Sequence, residues 1–177
     1  MGERLSIRWR SRKVDRSLRD RNSGHGVTRL LFIGLGSAHG DDQAGWIAAE
    51  ELERQLGGQS HGVAIRQLSS PLDVIEEMHN AERLIVCDAC DTPLTVGQLR
   101  RWIWPTRDLE RTRSSNSHQL GLTEVLSLAA TLQRLPSLVE IWGVGARDFR
   151  PGSEPSPLVR AACQRLATQL SEEFARA

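Results

Sequence analysis

The sequence predicts an α/β fold, a three-layer α/β/α arrangement around a mostly parallel, twisted sheet of about five strands. Three observations predict it. Residues 30–45 read as a strand, a glycine turn and a helix, the opening unit of a parallel sheet. Downstream of them, short apolar runs alternate with stretches of helical periodicity up to Leu170. The chain has 177 residues and no internal repeat, which suits one domain able to bury roughly 70% of its potential surface without disulfides.

The elements follow in order. Leu30 to Ile33 form a buried strand, and Gly34 and Gly36 let the backbone turn tightly. Trp46, Ile47, Ala49, Leu52 and Leu56 mark an amphipathic helix over residues 42–56, ended by Gly57 and Gly58. Val63, Ile65 and Leu68 suit a short second strand. Pro71 starts a second helix through Leu72, Val74, Ile75 and Met78. The run Arg83 to Asp88 reads as a third strand that ends in an acid, and its apolar character predicts a central place in the sheet.

Thr95 to Trp104 alternates in polarity, as an edge strand with one partly wet face does, and Pro105 ends it. Residues 106–118 form a polar loop, of a length that usually serves as a flap or a binding loop. Gly121 to Leu135 is helical by spacing, and Leu138 to Val144 is a further buried strand closed by Gly145. A second long loop spans 146–157, and Ser156-Pro157 opens the last helix. Residues 1–28 are expected to be a basic, flexible arm ahead of a single domain over 29–177, although Leu5, Ile7 and Trp9 would also suit a short edge strand.

Composition narrows the function classes. Net charge is +1, with net +5 concentrated in residues 1–21, so the folded part offers no basic surface and no nucleic-acid partner is expected for it. No apolar run reaches the length of a membrane span, and no apolar stretch follows the N-terminal charges as a secretory signal requires. Three cysteines, few and odd in number, fit a reducing compartment, and a cytoplasmic location and a monomer are expected.

The chemistry collects around the first turn. A dinucleotide fold places small residues and free N–H groups there, whereas this turn carries His39, Asp41 and Asp42. Those acids would repel a pyrophosphate, so no nucleotide cofactor is expected and a cation or a peptide suits the turn better. Asp42 follows the first strand and Asp88 ends the third; with adjacent strands about 5 Å apart, the two carboxylates are expected within one ion's reach. Such a pair needs a proton or a cation between its members. His118, at the end of the long loop, would complete a His/Asp/Asp set suited to nickel, zinc, cobalt or iron.

Plainer readings exist for each residue. Asp41 or Asp42 would serve as a helix cap, Asp88 as a strand-end acid binding loop amides, and His118 as a solvated residue. Paired-carboxylate acid–base chemistry is a further alternative. Cys87 and Cys90 form a CxxC around Asp88, but redox CxxC pairs start a helix, and Cys87 sits in a strand.

Three blocks then carry a family resemblance: residues 33–45 from Ile33 to Gly45, residues 84–89 from Leu84 to Ala89, and residues 117–126 from Ser117 to Leu126. The sequence resembles the hydrogenase maturation endopeptidases, which trim the C-terminal extension of the nickel–iron (NiFe) hydrogenase large subunit. The likeness covers residues 29–171. It implies that Asp42, Asp88 and His118 are the catalytic and metal-engaging residues, with nickel supplied by the large-subunit precursor rather than held as a resident cofactor. His39, Asp41 and Gln119 are then expected to contact substrate. The implied activity is that of an aspartic or metal-dependent endopeptidase; a non-catalytic assembly or chaperone module that binds the large subunit or its nickel is the alternative. The chain departs from the family in a first loop one residue shorter, in Ser37 where Asn is usual, and in Cys90 and Asp91 beside the second acid.

Overall fold

The computed structural model describes residues 28–57, 62–91, 94–106 and 121–176. The expected arm before residue 28, and His118 and Gln119, lie outside the described residues. The strands are β1 (Thr28–Leu35), β2 (Val63–Leu68), β3 (Ala81–Cys90), β4 (Leu99–Ile103) and β5 (Leu138–Gly145). The helices are α1 (Ala44–Leu56), α2 (Asp73–Glu77), α3 (Leu122–Thr131) and α4 (Pro157–Phe174). The strands form one sheet in the order β2-β1-β3-β5-β4; all neighbours are parallel except β4, which runs antiparallel on β5. This is the expected three-layer α/β/α fold.

Period two in the strands divides the core. Phe32, Ile85 and Val144 face α1 and α4, where they meet Leu52, Leu166 and Leu170. Ile33, Leu84, Val86 and Ile141 face α2 and α3, where they meet Val74, Met78 and Leu126. Strands buried on both faces must be apolar without interruption, and β3 accordingly lies between β1 and β5. β4 is the edge strand that its alternation predicts. At the opposite end of the sheet from the glycine turn, Glu140 of β5 is wholly buried and binds Arg83 of β3 at 2.5 Å and Arg101 of β4 at 2.7 Å.

Several element boundaries differ from expectation. β4 starts at Leu99 rather than Thr95, because a turn with Gly97 at a φ of +76° precedes it. α1 starts at Ala44 rather than residue 42, because Gly40–Gln43 form a separate 3-10 turn before it. α3 stops at Thr131, where the following turn takes Gln133 to a positive φ of 55°. Neither Asp41 nor Asp42 caps α1, whose N-cap is Gln43 with no side-chain cap.

One glycine contact seats α1 on the sheet. A methyl group on Gly45 would lie 2.1 Å from the Leu35 carbonyl oxygen and 2.5 Å from that of Cys87, and one on Gly34 would lie 2.0 Å from the Gly45 carbonyl oxygen. No side chain fits between the first turn of α1 and the ends of β1 and β3, so the turn carrying the acids is drawn down onto the strand ends. Gly45→Ala should therefore lower stability by about 3 kcal/mol or prevent folding, because backbone must shift. Gly57→Ala should cost only about 1 kcal/mol, from its left-handed backbone, since nothing lies within 4 Å of the added methyl. Urea unfolding midpoints of the two variants check the contrast.

Candidate active site

In an open parallel sheet, ligands bind beyond the carboxyl ends of the strands where the connections part in opposite directions. Here that point lies between β1 and β3, because β1 leads outward to β2 on one side and β3 leads to β5 and β4 on the other. Gly34 pairs with Cys87, so Asp88 stands one residue beyond the last paired position of β3 on β1. Asp42 reaches the same crevice from the 3-10 turn after β1.

Asp42 is held by its own loop. Its carboxylate Oδ2 accepts the Ser37 hydroxyl, its carbonyl accepts the Ser37 amide at 3.3 Å, and its amide donates to the His39 carbonyl at 3.0 Å. Gly36 is needed for this tight fold-back, since a methyl there would lie 2.2 Å from the Asp42 carbonyl oxygen. Asp88 is partly buried, and its Oδ1 accepts the neighbouring Ala89 amide at 2.8 Å. Burial, and then the charge of Asp42, push the Asp88 carboxyl up to about 7, against the opposing pull of the Ala89 amide. A carboxyl raised in this way by a second carboxylate shares its site with a proton or with a cation.

Asp41 is the other kind of acid. It is 1% exposed, and its carboxylate accepts the amides of Ser156 at 2.7 Å, Arg147 at 3.0 Å and Asp148 at 3.1 Å. Burial would raise its pKa, but these donors, with the Ser156 hydroxyl, outweigh that and hold it below the ordinary carboxylate value. Its own amide donates to the Asp148 carbonyl at 2.6 Å, and that of Gly40 to Ser153 at 2.9 Å. Asp41, expected as a substrate contact, is thus occupied in tying the first turn to the loop after β5 and to the N-terminus of α4. His39 is exposed, and its Nδ1 accepts the Gly152 amide at 3.4 Å.

Asp42 lies near enough to Asp88 for its charge to act on that carboxyl; His118 and Gln119 lie outside the described residues. Among the described residues, no group of three metal-ligating side chains converges. The two carboxylates fit a cation that accepts oxygen ligands, with the remaining positions left to other donors. The CxxC is resolved by geometry. Cys87 packs in the α1/α4 core and Cys90 in the α2/α3 core, on opposite faces of β3, so the two thiols cannot pair. Burial raises both, Cys87 well above the usual thiol value and Cys90 to about 11. The sequence marks Ser37 only as a departure from the family, and nothing in its pattern singles out Arg147 or Asp148.

A protein-family model described as hydrogenase maturation protease matches residues 49–173. The hydrogenase expression/formation protein HupD of Bradyrhizobium diazoefficiens is 29% identical over 154 residues, 78% of each chain. The hydrogenase maturating endopeptidase HybD of E. coli superposes with a TM-score of 0.66 at 23% identity, over 84% of this chain and 93% of that one. The maturation protease HycI of Thermococcus kodakarensis superposes with a TM-score of 0.66 at 20% identity, over 85% and 95%. No helix among the described residues is long and apolar enough to cross a membrane.

Two stability experiments separate the acids. Asp41→Ala leaves three part-buried amides without their acceptor and should cost about 3 kcal/mol near neutral pH. Because the folded Asp41 pKa is depressed, the charge-linked part of this contribution is present above the ordinary carboxyl value and lost as pH falls through the folded one, so the gap to wild type should begin to narrow below about pH 4. Asp88 has the opposite sign: its folded pKa is raised, so ionisation destabilises the fold as pH rises from about 4 to 7. In metal-free buffer, Asp88→Asn should be more stable than wild type at pH 8, by on the order of 2 kcal/mol, and equal to it at pH 4. Denaturant titrations across pH read both.

Proposed function

The chain belongs to the hydrogenase maturation protease family, and from that membership we propose that it removes the C-terminal extension of a nickel-loaded hydrogenase large-subunit precursor. The observation that carries the finer reading is the Asp42/Asp88 pair at the crevice, with Asp88 raised to about 7 by burial and by its neighbour. His118 is proposed as the third member, by its place in the motif blocks of the sequence.

The chemistry follows from the charges. Near neutral pH the pair readily keeps one proton, so the empty crevice avoids two adjacent negative charges. A nickel ion carried by the precursor is part of the substrate. Its charge favours ionisation of Asp88, so that both carboxylates, with His118, engage the ion and draw the attached peptide into the crevice. A precursor without nickel offers no charge to displace that proton and is held less well. Once engaged, a carboxylate of the pair is placed to take a proton from the attacking water and return it to the leaving amine. Selection for loaded precursor and cleavage then use the same residues.

The test is incubation of the purified chain with nickel-loaded and nickel-free precursor, followed by intact mass. The loaded precursor should lose its C-terminal peptide and the nickel-free one should not. D42A, D88A and H118A should each lower cleavage by about a hundredfold or more, while C87S and C90S, if folded, should retain it. No mass loss from the loaded precursor with wild-type chain would sink the proteolytic reading. Stable binding without cleavage would indicate an assembly module instead, and equal cleavage of both precursors would remove nickel from the selection step.

A further inference from the structure

Arg147 is the residue at which three loops of the crevice meet. Its amide is held by the Asp41 carboxylate at 3.0 Å, which ties its backbone to the turn carrying Asp42. Its guanidinium reaches the other way, into the segment that follows Asp88. Nη1 donates to Asp91 Oδ1 at 3.0 Å and to the Ala146 carbonyl at 2.8 Å, and Nη2 donates to the Leu94 carbonyl at 3.0 Å. The preceding amide, that of Ala146, donates to the Cys90 carbonyl at 2.9 Å. The loops after β1, β3 and β5 are thereby joined through one side chain and its backbone.

We propose that Arg147 is a positioning residue: it fixes the segment after Asp88 against the loop after β5, and so sets how Asp88 faces Asp42. The proposal rests on the proteolytic reading for its catalytic consequence, though not for its structural one. The Asp91 ion pair alone would do little, since both side chains are about half exposed, at 47% and 51%, and water screens them. The Leu94 carbonyl carries the join between the loops, while the neighbouring Ala146 carbonyl only orients the guanidinium. A planar guanidinium meets a carboxylate and two carbonyls at once in a fixed plane, which a lysine ammonium on its flexible stem does not reproduce. The segment needs such an anchor. Asp88 is itself paired with Gly143 of β5, but that ladder ends two residues on, at Cys90 and Gly145, and beyond it the guanidinium contacts join the two segments.

The experiment compares R147A, R147K and D91N in the full chain. With nickel-loaded precursor, R147A should lower kcat by about tenfold or more with KM within about threefold, because the ligands are present but misaimed. R147K should recover less than about a third of the loss, and D91N, which leaves the carbonyl contacts intact, should stay within about threefold of wild type. Amide hydrogen exchange in 88–91 and 94–98 should rise by about tenfold in R147A, with exchange in α1 unchanged. A kcat within twofold of wild type, a loss confined to KM, or faster exchange spread evenly over the whole domain would overturn the positioning role. If wild-type chain fails to cleave, the proteolytic reading falls, and the exchange pattern of R147A still decides the structural claim by itself.

Discussion

The working end of this molecule depends on one buried carboxylate. Parallel strands end in loops whose amides have no ladder partners, and a crevice cannot keep its shape while those loops drift. Asp41 answers this by accepting three of those amides at once, from Arg147, Asp148 and Ser156. The last of these belongs to the N-cap of α4, so the helix start is held by the same oxygens that hold the loop. Burying a charge is costly without such donors, and removing the charge would strand them. The chain around Asp41 is shaped to permit the arrangement. Gly40 adopts a φ of +52° and lies so close to the Asp148 carbonyl that a methyl would approach it to 2.1 Å.

Adjacent aspartates consequently have divided tasks. Asp41 meets backbone donors and is driven toward permanent ionisation. Asp42, one residue on, adds its charge to the burial that pushes Asp88 up to about 7. Asp41 and Asp88, carboxyls of the same chemistry, are thus shifted in opposite directions by their environments. Environments that push carboxyl pKa values apart are how a fold assigns structural and chemical roles to one residue type. The glycine contact between β1 and α1 serves the same end, since it brings the 3-10 turn low enough over the strand ends for Asp42 to act on Asp88.

Much of this was legible in the sequence, for a specific reason. Strand burial on two faces forces unbroken apolar runs such as Leu30–Ile33 and Leu84–Val86, and these declare both the strand and its central place. Alternation through Trp102 and Trp104 likewise declared the edge. Asp42 and Asp88 could be placed from the sequence because one lies in the turn after β1 and the other near the end of β3, where position along the chain implies position at the carboxyl edge of the sheet. The role of Asp41 was not legible, since a cap, a substrate contact and a loop fastening look alike as a single letter. Its partners lie 106, 107 and 115 residues away, and no local pattern reports them.

The sequence by itself determined the alternation of strands and helices, the glycines that allow the close crossing, and the acids in the turn after β1 and near the end of β3. Those features are local: they follow from period, backbone freedom and side-chain chemistry within a few residues. The tertiary structure decided which acid fastens and which responds, that Cys87 and Cys90 face opposite cores, and that Arg147 joins the loops. Each of these is a contact between loops or across layers, set by how the strands are ordered in space. The order β2-β1-β3-β5-β4 is what brings residues 41, 88 and 147 to one end of the sheet.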